Sequence, residues 1–186
     1  RSSELAVINA IQRAIGERVE FQAIVDAVGD QLRGVFGSEN LWIRLRDADG
    51  VNVRVLYLVE HGIRHPPLSF TLEGVERRFS KELRAGRTLV VNNFAEQEAL
   101  QILIAPGTDR ALSGVYVPIV VGERHIGELG LESFERESAF DESVVRLLQT
   151  VTASMGAALE NARLFDETQR LLKETAQRNA ELAVIN

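Results

Sequence analysis

The chain has 186 residues, 45% hydrophobic and 26% charged, with a net charge of −6 and no cysteine. This balance suits one globular domain with extensions. It excludes disulfides, cysteine-ligated zinc and thiol redox chemistry, and it argues against a nucleic-acid surface, which needs a basic face.

No apolar run is as long as a membrane span and no signal peptide is readable at the start, so a cytoplasmic location without direct membrane contact is expected. Leu5, Ile8, Ile11 and Ile15 fall at helical spacing and predict a first helix ended by Gly16. A second helix carries Phe21, Ile24, Val25, Val28, Leu32 and Val35, and Gly37 stops it. Leu41, Ile43 and Leu45 alternate with Trp42, Arg44 and Arg46 in a strand. After the turn Asp47-Ala48-Asp49-Gly50, a partner strand over Val51–Val59 places Val51, Val53, Val55, Tyr57 and Val59 on one face. The stretch from His61 to Pro67 reads as a loop, because its two prolines resist strand and helix alike.

Residues 72–85 read as an arginine-rich helix closed by Gly86; Arg77, Arg78, Arg84 and Arg87 mostly suit a solvated face, and drawing in an anion is the alternative. Thr88–Val91 reads as a short strand and Ala95–Leu103 as a helix. A hairpin of Ser113–Val121 and His125–Ser133 turns at Gly122-Glu123-Arg124, with His125 expected in solvent. Asp141 is a good N-cap for the last helix, and no glycine or proline occurs from Ala157 to Asn186. Its apolar face runs from Val144 to Ala162. Beyond it, Leu164, Thr168, Leu171, Thr175, Arg178, Leu182 and Ile185 mark a broken heptad seam that suits a partner helix.

The six residues Glu4 to Asn9 recur, in the same order, as Glu181 to Asn186. A hexapeptide repeated across almost a whole chain suggests one period of a tandem array, whose exit helix becomes the next entry helix. A duplicated spacer is the alternative.

Val115-Tyr116-Val117-Pro118-Ile119, Gly122 and Ile126-Gly127-Glu128-Leu129 resemble the second hairpin of the GAF domain, and Ala158-Leu159-Glu160-Asn161-Ala162-Arg163-Leu164 resembles the ending of its closing helix. The resemblance implies an α+β fold: a central antiparallel sheet of five or six strands, with the terminal helices on one face. It divides the chain into a linker helix (1–15), a GAF domain (16–165) and a coiled-coil-like linker (166–186). It further implies a non-catalytic sensory domain of a bacterial signal-transduction protein, of histidine kinase or nucleotide cyclase type. Such a domain binds a small molecule and acts as a parallel homodimer beside further GAF and output domains. The rival is a ligand-free dimerisation module.

Strand alternation sets Tyr116, Glu128 and Gly130 off the aliphatic face. With Phe70, Phe79, Asn92, Asn93 and Phe94 from the connections they form the candidate ligand site; a filled, ligand-free core is the competing reading. Leu5, Ile8, Leu164, Leu171, Leu182 and Ile185 are the candidate dimer contacts. No catalytic constellation is readable. The family's cyclic-nucleotide binders carry an Asn-Lys pair, and its bilin binders a cysteine. Neither is present, so cyclic nucleotides are disfavoured and a covalent bilin is excluded. His61 and His65 lie four apart, but Pro66-Pro67 spoils a helical metal pair, so neither haem nor a tightly bound transition metal is expected.

Overall fold

The computed structural model describes residues 2–16, 20–38, 40–72, 77–104 and 107–185, and the side chains of all of these except 2–4, 14 and 15. Expectations for Ile15 and for residues 73–76 therefore lie outside the described residues. Among the described residues, five helices and seven strands follow one another as α1 (Ser2–Gly16), α2 (Phe21–Phe36), β1 (Leu41–Arg46), β2 (Asn52–Glu60), β3 (Ile63–His65), β4 (Leu68–Thr71), α3 (Arg78–Arg84), β5 (Leu89–Val91), α4 (Phe94–Ala99), β6 (Ser113–Val121), β7 (Arg124–Ser133) and α5 (Glu142–Ile185). The strands make one antiparallel sheet in the order β3-β2-β1-β7-β6-β5, and β4 also pairs with β2.

The 61–67 stretch is not a loop. His61 and Gly62 both adopt positive φ (49° and 75°), and Glu60 faces Ile63 across them. This two-residue turn follows the right-handed strand twist, so the chain doubles straight back. Pro66-Pro67 then interrupts an outer strand into β3 and β4, both paired to β2. Proline is tolerated there because an outer strand has one side free of ladder bonds.

β2 departs from the expected single face. Its register against β1 slips between Ile43 and Arg44: Tyr57 opposes Ile43, and Val55 opposes Arg44. The extra residue, Leu56, turns Val53 and Val55 to the face opposite Tyr57 and Val59. All four are buried, so each face of the sheet has a covering.

The inner face packs against α1, α2 and the first half of α5. Ile24, Leu32, Ile43, Leu129, Leu131, Leu148 and Met155 are fully buried in that core. Each contributes about 1.5–3 kcal/mol by leaving water. Asp141 caps α5 by accepting the amide hydrogens of Ser143 (2.9 Å) and Val144 (3.1 Å). The helix runs unbroken for 44 residues, about 66 Å. Its last buried residue is Ala162, and every residue from Thr168 to Ile185 is exposed.

Candidate functional site

The outer face of the sheet is built by alternation: Trp42, Arg44 and Arg46 on β1, Tyr116 and Pro118 on β6, Glu128, Gly130 and Glu132 on β7. The register sets Trp42 opposite Gly130, Arg44 opposite Glu128 and Tyr116 opposite Gly130. Two distinct regions result.

The first is aromatic and filled. The Trp42 indole lies across Gly130, where an added Cβ would come within 2.2 Å of the ring. Trp42 and Tyr116 are 5.8 Å apart, and Phe79 of α3 meets Tyr116 edge-on at 5.0 Å. Leu83 and Val91 complete this second core. The Tyr116 hydroxyl donates to Glu132 Oε1 at 2.9 Å. Burial, reinforced by the Glu132 carboxylate, pushes the Tyr116 pKa well above its usual value. Burial also raises Glu132, against the opposing hydrogen bonds from Tyr116 and Trp42.

The second region is ionic. Glu128 is fully buried. Arg44 Nε donates to its Oε2 at 2.7 Å and Arg46 Nε to its Oε1 at 2.8 Å. His125 was expected in solvent. Instead its side chain is 6% exposed, with Nε2 3.3 Å from Glu128 Oε1. The reason is a register shift between Ile119 and Val120, which turns His125 onto the outer face. Burial pushes the Glu128 pKa up, but Arg44, His125 and Arg46 together outweigh it and hold the carboxyl well below its usual range. Two arginines share one carboxylate, and among the described residues Arg46 Nη1 and His125 Nδ1 are buried without hydrogen-bond partners. Of the three groups Arg44, Arg46 and Glu128, the cations outnumber the carboxylate by one.

Among the expected ligand residues, Phe79, Tyr116 and Gly130 meet on the outer face, where side chains occupy the space between them. Glu128 sits further along as the centre of the ionic cluster. Phe70 is on β4 at the sheet edge, half-buried. Asn93 caps α4, its Oδ1 accepting the Glu96 amide hydrogen at 3.0 Å, while the Glu96 carboxylate accepts that of Asn92 at 2.6 Å. This reciprocal cap uses the Asn93 side-chain oxygen and the Asn92 backbone amide. Phe94 is half-exposed beneath the Arg110 guanidinium, 3.5 Å from its ring centre. Asn92 also borders a surface groove of about 550 Å³ with Val90, Phe140, Asp141, Val145 and Arg146, beside the start of α5. Arg44, Arg46 and His125 were not singled out from the sequence. The one signal was the arginine alternation on β1, which acquires meaning only through its register with β7.

The family model described as "GAF domain" matches residues 19–160. Among curated proteins, none matches. Among solved structures, the chain is similar to the free methionine-R-sulfoxide reductase of Neisseria meningitidis, solved with its substrate (20% identity, TM-score 0.64, 87% of this chain and 90% of that one). It is similar to the GAF domain of an Acinetobacter phosphoenolpyruvate-protein phosphotransferase (16%, 0.68, 88% and 96%). It is also similar to a phycoerythrobilin-bound GAF domain of a cyanobacterial phytochrome (17%, 0.67, 88% and 97%). At these identities the likeness concerns the fold.

Proposed function

The chain belongs to the GAF family, a sensory and regulatory fold of signalling proteins, and we propose from this premise that it is a non-catalytic regulatory domain. It pairs in parallel with a second copy through its terminal helices and relays conformation along α5 to an adjacent domain of a bacterial signalling protein. The observation that carries this reading is the bare half of α5. Leu164, Leu171, Leu182 and Ile185 are 47%, 49%, 55% and 80% exposed on a helix with no core of its own. Such a seam is covered by a like helix. Leu5 of α1 is also exposed, whereas Ile8 leans on the chain's own core, so Leu5 is the better contact of the two.

The repeated hexapeptide supports continuation into a following domain. Val7 is 8% exposed, packed in the core, while its counterpart Val184 is 87% exposed. The same valine thus has a socket in the first copy of the hexapeptide and none in the second, as in the entry helix of a next unit. Light scattering at micromolar concentration is expected to give twice the chain mass. A monomer at every concentration tested overturns the pairing.

A second reading, small-molecule binding, is favoured by the ionic cluster rather than by the aromatic region. A ligand there is a small anion able to use Arg46 Nη1 and His125. Calorimetric titration with inorganic phosphate and simple carboxylates tests it. Heat that disappears in His125→Gln supports this reading, and no heat from any anion leaves the ligand-free relay.

A further inference from the structure

The geometry points to a divalent transition-cation site, best suited to zinc, formed by Glu60, His61 and Asp109 where the β2–β3 turn meets the loop before β6. The three side chains each offer one donor atom, and these atoms all lie within 4.8 Å of one another. His61 Nε2 is 2.8 Å from Asp109 Oδ2, and Glu60 Oε1 accepts the Asp109 amide hydrogen at 2.5 Å. Donors about 2.1 Å from a zinc ion stand roughly 3–3.5 Å apart, so small rotations of His61 and Asp109 suffice.

Burial supplies a second, independent indication. Glu60 is 8% exposed, yet among the described residues it has no ion pair with a cationic side chain. Buried carboxylates are ordinarily paired with a cation or bound to a metal. The imidazole is also held for the task. Its ring rests 4.7 Å from that of Phe134, and the His61 amide donates to Asn40 Oδ1 at 2.8 Å. The first contact limits rotation of the ring, and the second fixes the backbone that carries it. One imidazole with two carboxylates favours zinc or its transition-metal neighbours over magnesium, which takes oxygen donors. The His61 and Asp109 side chains are 52% and 73% exposed, so water completes the coordination and the ion exchanges freely.

The site joins a turn of the sheet edge to a loop 48 residues further along, which is why the spacing of His61 and His65 did not reveal it. It is independent of the paired helices. Calorimetry of the purified chain with zinc chloride alone, after chelator treatment, is expected to show one ion per chain at micromolar affinity. His61→Ala and Asp109→Asn, both exposed positions, should each weaken it at least tenfold while leaving the circular dichroism spectrum unchanged. His65→Ala should leave it unaltered. The absence of zinc binding, or binding that survives both His61→Ala and Asp109→Asn, overturns the site.

Discussion

Glu128 is the residue on which the outer face turns. Its carboxylate is fully buried between Arg44, Arg46 and His125, and removing it leaves two guanidinium groups without their counter-charge. Breaking a buried pair in this way costs about 3–5 kcal/mol. Glu128→Gln is therefore expected to lower the urea midpoint by a corresponding amount. The pH dependence has a defined sign. Because the folded-state pKa lies below the unfolded one, near 4.3, the contribution is complete above that value and is lost as pH falls through the folded value. Wild-type stability should thus fall more steeply below pH 5 than that of the variant; parallel curves contradict this.

Gly130 makes a steric statement of the same kind. Gly130→Val would drive the Trp42 indole out of the second core, at about 1–3 kcal/mol. Trp42 is the single tryptophan, so its fluorescence should shift to the red in an otherwise folded protein. Unchanged emission counts against the packing described.

At the scale of elements, local signals account for much of the fold. β1 and β6 are found where side-chain alternation places them, and β7 begins one residue earlier, because period-two burial is a strong pattern. α5 begins where Asp141 can cap it. β3 and β4 were hidden by Pro66-Pro67, whose effect depends on how much ladder bonding an outer strand requires. The two register shifts, at Leu56 and Ile126, were hidden because an inserted residue leaves no compositional mark, yet they decide which face Val53, Val55 and His125 occupy. The site was less legible than the fold. Arg44 and Glu128 are 84 residues apart in sequence, and only strand pairing joins them. The Asn93 side chain has a local task, the cap of α4. Asn93→Ala is expected to cost about 1 kcal/mol and to loosen residues 94–99, seen as faster amide exchange there.

For the whole molecule, the proposed pairing implies that the covered and bare halves of α5 separate stability from association. Leu171→Asp combined with Leu182→Asp touches only exposed positions, so the unfolding free energy of the dissociated monomer should change by no more than is usual for surface substitutions, about 0.5 kcal/mol. Association should weaken at least tenfold in sedimentation velocity. A dimer that persists unchanged places the contact on α1 and the start of α5 instead.

The broken outer strand bears on how such molecules behave in a crowded solution. A sheet edge with free amides and carbonyls is a template for unwanted growth. Here one edge is split by two prolines into β3 and β4, of three and four residues, and the other ends in β5, of three. Neither presents a flat run long enough for another chain to zip onto. Growth of fibrils by edge-to-edge pairing of these sheets is thereby disfavoured even where the protein is concentrated.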